Sequence, residues 1–219
     1  MMSETPASRP GLKAGGRSHP PEQIAQIPVV GTWLLVGANF FFLVPLFFGF
    51  FFLEATNNNH GWQPAGVHPP EIWLGTLAFA LATLGVIAGQ WGLKRLRSQA
   101  SLASFVNLGR SAAVLMFASV VVQIWQLAHA GFGISSGAYA SCFFAMNIWV
   151  TVEVAVLALW SISLANRAGY EYTHPIPLPP VDSEFEVATP ISALAQSYQI
   201  FAIFLGAIVV LTWVIAYFL

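Results

Sequence analysis

The side chains best placed to do chemistry in this sequence are two polar residues inside long apolar stretches, Asn39 and Glu153. Asn39 is the one polar side chain of GANFFFLVPLFFGFFFL, residues 37–53. Glu153 is the one charged residue between Arg110 and Arg167. An ionised carboxylate at the centre of a bilayer costs about 2.5–3.5 kcal/mol on insertion scales, so it marks either a functional group or a paired structural one.

The composition indicates whether the chain folds in water or in a lipid bilayer. Of its 219 residues, 57% are hydrophobic and only 8% are charged, whereas soluble domains carry about 25% charged residues. The mean hydropathy is +0.69. Backbone groups in hydrocarbon need partners within the protein, which helices supply and isolated strands do not. The sequence therefore predicts an all-α polytopic membrane bundle with five transmembrane helices, at 28–53, 72–93, 109–129, 139–164 and 197–219.

The positive charges predict the orientation of this bundle. All eight Lys and Arg fall on one side of a five-helix topology, so the positive-inside rule places the N-terminus in the cytoplasm and the C-terminus outside. Residues 1–26 are expected to form a disordered cytoplasmic tail without a secretory signal. Residues 27–219 form the transmembrane domain, with a Pro-rich cytoplasmic loop at 165–196 that is either a linker or a docking loop.

Asn39 and Glu153 are expected to meet inside the membrane. Each lies about 16 Å from the cytoplasmic end of its predicted helix, at a rise of 1.5 Å per residue. We therefore predict a hydrogen bond from the Asn39 amide to Glu153. Two roles stay open at this point: Glu153 is a proton or gating group, or the pair is a helix-packing contact worth roughly 0.6–2 kcal/mol.

The second predicted helix carries small residues at alternating spacings of three and four, which line one helix face. These residues form a predicted helix-packing seam: Gly75, Ala78, Ala82, Gly85, Gly89 and Gly92. Such a seam lets another helix approach closely. That helix could belong to this chain or to another subunit.

The potential metal ligands are few and badly placed for a buried redox centre. Cys142 is the single cysteine, so the chain can form no internal disulfide. The histidines are His19, His60, His68, His129 and His174. None falls near the middle of a predicted helix, where a haem or copper centre in a bundle needs its ligands. We expect no catalytic residue, no metal, no cofactor and no nucleic acid on this chain.

Four stretches of the sequence carry a resemblance to a known family. They are Trp33 followed by Asn39 and the Phe cluster, WQPAGV at 62–67, Gln123 with Gln126, and GAYASCFF at 137–144. Together they resemble subunit III of the haem–copper (cytochrome c) oxidases, in its short five-helix form. The positions that match the family motifs are Trp33, Trp62, Pro64, Gly66, Gln123, Tyr139, Phe143 and Phe144.

The sequence departs from this family at its polar membrane positions. The family has an acidic residue in the first of these helices, where this chain has Asn39, and two histidines in the fourth, where it has Val150 and Glu153. The buried acid has therefore moved from the first helix to the fourth. The carboxylate and the histidines that the family has near proton uptake are therefore absent from their usual positions in this chain.

The resemblance implies a non-catalytic subunit of a cytochrome c oxidase-type complex in the inner membrane of a bacterium. Haem and copper are then expected in the catalytic subunit I, which this chain would contact with other subunits of the respiratory chain. Structural phospholipid is a possible ligand. One alternative is an accessory subunit of a nitric oxide reductase. Another is a stand-alone small transporter with Glu153 as its coupling site, although the five helices show no inverted repeat.

Overall fold

The computed structural model describes residues 21–57, 62–63, 66–68, 70–98, 102–173 and 191–218. Over these ranges the chain forms helices and no strand: α1 (Pro21–Thr56), α2 (Ile72–Arg97), α3 (Leu102–Ala128), α4 (Ala138–Thr173) and α5 (Ile191–Phe218). All five helices are long and apolar enough to cross a membrane. The chain is a multi-pass membrane protein, and the predicted fold class is confirmed.

Several helices extend further than the sequence predicted. Helix α1 begins at Pro21, within the stretch 1–26 that the sequence assigned to the tail. The predicted loop at 165–196 is also too long, because α4 continues to Thr173 and α5 begins at Ile191. The start of α1 at Pro21 suits a proline, because its missing N–H needs no partner at the first helical position. The rest of the tail and the prolines of the loop lie outside the described residues.

Successive helices run in opposite directions, so their positive charges meet at one end of the bundle. Arg97 of α2 donates a hydrogen bond to Gln199 near the start of α5. Arg110 near the start of α3 donates to Asn166 near the end of α4, at 3.2 Å. We call this the basic end. Its described cationic residues are Lys94, Arg95, Arg97, Arg110 and Arg167.

Side-chain hydrogen bonds also tie the helices together at the opposite end, which we call the C-terminal end because α5 finishes there. Gln126 Nε2 of α3 donates to the Tyr217 hydroxyl of α5 at 2.6 Å. The Tyr139 hydroxyl of α4 donates to the Ala216 carbonyl oxygen at 3.2 Å. The hydrogen bonds at the two ends together fix the alternating direction of successive helices.

The helices α2, α3, α4 and α5 form a ring in which each helix packs against the next, and α5 closes the ring against α2. Helix α1 lies outside this ring and packs against α4 and α5. Most of its aromatic side chains point away from the bundle, and Phe41 is 79% exposed. Lipid tails are as apolar as these side chains, so such a face is compatible with a bilayer.

The predicted seam of small residues on α2 is buried throughout. A Cβ added at Gly85 would lie 2.6 Å from Met116 Cγ and 3.0 Å from the Ala112 carbonyl oxygen, both on α3. A Cβ added at Gly89 would lie 2.5 Å from the Tyr198 hydroxyl of α5. The helices that use this seam therefore belong to the chain itself, and α2 packs closely against both of them.

We predict that Gly85→Leu lowers the free energy of unfolding by about 1–3 kcal/mol, because overpacking forces the backbone of α3 away from α2. Thermal unfolding in detergent measures the effect. The control is Gly37→Ala on α1, where nothing lies within 4 Å of an added Cβ. Equal melting temperatures for Gly85→Leu and wild-type protein would contradict the close approach.

Candidate functional site

Helix α1 places Asn39 against α4 in the apolar interior. The side chain is only 4% exposed. Its Nδ2 donates to the Leu35 carbonyl oxygen at 3.1 Å, and its Oδ1 accepts from Trp149 Nε1 at 3.3 Å. A buried amide without partners is costly to desolvate, so these bonds are what allow a polar residue in this segment.

Helix α4 places Glu153 one turn after Trp149, on the same helix face. The carboxyl group is half-buried, and the Asn39 side chain lies beside it. The structure therefore brings together the two residues that the sequence singled out. Phe42 packs on Trp149 beside them, with ring centroids 4.0 Å apart. We refer to Asn39 and Glu153 as the α1–α4 polar pair.

No cation of its own helix lies close to Glu153. The nearest basic residue along α4 is Arg167, about 21 Å away at 1.5 Å per residue. The neighbour on α1 is a neutral amide. In chemical terms the pair can hold a hydrogen bond between two helices, and the carboxyl can bind or release a proton.

A second pair of polar side chains joins α3 to α4. Gln123 Nε2 donates to Asn147 Oδ1 at 2.9 Å, and both side chains are buried. Asn147 Nδ2 in turn donates to the Phe143 carbonyl oxygen at 2.8 Å. We call Gln123 and Asn147 the α3–α4 amide pair.

The α3–α4 amide pair and the contact between Trp149 and Asn39 lie on opposite faces of α4. Asn147 and Trp149 are separated by about 200° around the helix at 100° per residue. Glu153 follows Trp149 by one turn, so it shares the face that α1 covers, while Asn147 shares the face that α3 covers. Helix α4 thus makes polar contacts with both of these neighbours near the middle of the bundle.

The sequence analysis missed three members of this polar region, which are Asn147, Trp149 and Thr151. Asn147 stands in the apolar run FFAMNIWV, and an amide within a membrane helix is itself a signal that a partner exists. The indole N–H of Trp149 has a defined acceptor in Asn39. Thr151 donates to the Asn147 carbonyl oxygen at 2.6 Å.

Several positions that carry the family resemblance come together at the C-terminal end. The Tyr139 backbone N–H donates to the Trp62 carbonyl oxygen at 3.1 Å, and the rings of these two residues lie 5.6 Å apart. Phe143 packs on Tyr139 at 5.9 Å, and Phe50 of α1 packs on Trp62 at 4.9 Å. These residues form an aromatic cluster that joins the loop after α1 to the start of α4.

The remaining motif positions are more dispersed. Gly66 has a φ of +91°, a conformation that favours glycine. Phe144 borders the aromatic cluster through Phe132, at 5.8 Å. Trp33 is 59% exposed on α1, and Pro64 lies outside the described residues.

Among the described residues, no three His, Cys, Asp or Glu side chains lie together as they would to hold a metal ion. His129 stacks on Trp125, with ring centroids 4.1 Å apart, and His68 is exposed. Cys142 is a partly buried free thiol. The positions His19, His60 and His174 lie outside the described part of the chain.

The chain was also compared with known proteins. No protein-family model matches it, and the search of curated proteins found no match.

We predict that the α3–α4 amide pair contributes a measurable coupling energy. A double-mutant cycle with Gln123→Leu and Asn147→Leu should give about 0.6–1.7 kcal/mol, the range found for hydrogen bonds between membrane helices. Unfolding by denaturant in detergent micelles provides the free energies. As a control, Gln123→Leu is combined with Ser161→Ala, whose hydroxyl bonds to the Gly109 carbonyl oxygen. Additive effects in the first cycle would contradict the prediction.

Proposed function

We propose that this chain is a non-catalytic, subunit III-like component of a bacterial haem–copper terminal oxidase. In this proposal it lies in the inner membrane, with its N-terminus in the cytoplasm and its C-terminus outside. It packs against the catalytic subunit and supports electron transport coupled to oxygen reduction. The haem and copper that carry out the oxygen chemistry belong to that partner, and phospholipid is a structural ligand.

The observation that carries the proposal is the aromatic cluster at the C-terminal end. Trp62 and Tyr139 are far apart in sequence and were singled out only by their motifs, yet a backbone hydrogen bond of 3.1 Å joins them. Phe143 packs on the same tyrosine. Motif residues that depend on one another for packing are what a shared family core requires. These mutual contacts between motif residues support the proposal.

The distribution of charge supports the proposed orientation. The described lysines and arginines gather at the basic end, whereas Glu54 follows the apolar run of α1 and Glu71 immediately precedes α2, both at the C-terminal end. The positive-inside rule counts Lys and Arg in short loops, so the basic end is the cytoplasmic one.

Within this function, the α1–α4 polar pair serves as a packing contact. Helix α1 lies outside the ring and contacts only α4 and α5 extensively. Asn39 supplies polar contacts that fix its depth and rotation against α4. A hydrogen bond from the Asn39 amide to residue 153 needs an oxygen acceptor at that position, and it does not need a carboxyl group that titrates.

This role predicts that Glu153→Gln leaves complex assembly and turnover unchanged, because glutamine keeps the shape and an acceptor oxygen. Glu153→Leu should weaken the attachment of α1 by roughly 0.6–2 kcal/mol. Assembly is measured by co-purification of the subunits, and turnover by gas consumption of the purified complex. If Glu153→Gln assembles normally but loses turnover, Glu153 is a proton or gating group and the packing role is wrong.

The membership of an oxidase complex is tested by purifying the tagged chain from native membranes with its partners. We expect a haem spectrum in the purified complex and consumption of oxygen. Consumption of nitric oxide without oxygen reduction would instead identify an accessory subunit of a nitric oxide reductase. A chain that purifies alone, without haem, and transports ions in vesicles would be a stand-alone transporter.

A further inference from the structure

The α3–α4 amide pair leaves one buried oxygen atom without a partner. Asn147 Nδ2 donates to the Phe143 carbonyl oxygen, so its Oδ1 is the atom that faces Gln123. Gln123 must then present its Nε2 to Asn147, because a rotated amide would place two acceptor oxygens against each other. Gln123 Oε1 therefore points elsewhere. It is buried and has no hydrogen-bond partner in the protein.

A small internal cavity adjoins this glutamine, between α2, α3 and α4. The cavity offers about 10 Å³ to the centre of a water molecule. A volume of this size is close to the minimum that holds a single water. Its polar lining comes from Gln123, Ser119 and Thr151. The remainder of the lining is apolar and includes Phe79, Ala82 and Val150.

The two hydroxyl groups of this cavity have already used their hydrogens. Ser119 donates to the Ala78 carbonyl oxygen at 2.6 Å, and Thr151 donates to the Asn147 carbonyl oxygen at 2.6 Å. Because a hydroxyl carries one hydrogen and two lone pairs, each can now only accept. The open positions on Gln123 Oε1 and on these two hydroxyls are therefore acceptors, and the second hydrogen of Gln123 Nε2 is the one side-chain donor left in the lining.

We infer that this cavity binds one water molecule. The water donates one hydrogen to Gln123 Oε1 and the other to the hydroxyl of Ser119 or Thr151. A molecule that supplies two hydrogens and fits a single-molecule cavity satisfies these acceptors. The water removes the cost of leaving a buried amide oxygen unpaired. It also extends the polar contact from α3 toward α4 or α2.

The side chains that line the cavity determine whether this water has a structural role or a role in proton transfer. Both of its hydrogens point to protein oxygens, and the cavity is lined by no acidic, basic or histidine side chain, so no titratable group of the cavity can pass it a proton. The water is a fixed structural ligand and not a link in a proton path. It also lies on the α3 side of α4, away from Glu153. This inference does not depend on the proposed function.

The test is a structure of the wild-type protein, in its native complex, at a resolution that shows internal waters. We expect one density peak within about 2.7–3.2 Å of Gln123 Oε1 and of one of the two hydroxyls, the usual range for hydrogen bonds. An empty cavity in a map that shows other buried waters would overturn the inference. So would a Gln123 amide that has rotated to bond with the protein.

A variant structure provides the second readout. Gln123→Met keeps the length of the side chain and removes the acceptor oxygen, so the water density should be lost. Ser161→Ala is the matched control, because it removes a buried hydroxyl outside the cavity, and it should keep the water. A peak that persists at full occupancy in Gln123→Met would show that the amide oxygen does not hold it.

Discussion

A polar side chain in the hydrocarbon core of a membrane has no water to bond with, and this constraint governs the centre of the bundle. Helix α4 satisfies this constraint on two of its faces. On one face Asn147 accepts from Gln123 of α3 at 2.9 Å. On the other, Trp149 donates to Asn39 of α1 at 3.3 Å. Because these bonds must form within the protein, they fix how α4 is rotated relative to its neighbours.

Close packing of the ring complements these bonds. Apolar side chains gain little by leaving lipid for another helix, so association relies on close contact and hydrogen bonds. The glycines of α2 let Met116 of α3 and Tyr198 of α5 reach its backbone. The Ser119 hydroxyl bonds to a carbonyl oxygen of α2 at 2.6 Å, which such proximity permits. Helix α1 lacks a comparable seam and is attached mainly through α4 and α5.

The sequence was sufficient to predict the class of fold, because gaps between charged residues reveal membrane helices directly. It also placed Asn39 and Glu153 at one depth, since depth follows from the rise per residue. It could not predict the helix ends, because hydropathy detects the segment in lipid and not the helical turns beyond it, as at Pro21 and Thr173. Partners such as Asn147 and Trp149 depend on rotation about the helix axis, which only the packing reveals.

The central proposal is that this bundle works as a scaffold, with no metal of its own, within a larger respiratory complex. The most direct measurement is native mass spectrometry of the complex released from its own membranes. The account predicts one copy of this chain bound to a larger haem-containing subunit, with the haem mass retained by that partner when the chain dissociates. A chain that is released alone and carries haem or copper on its own side chains would contradict it.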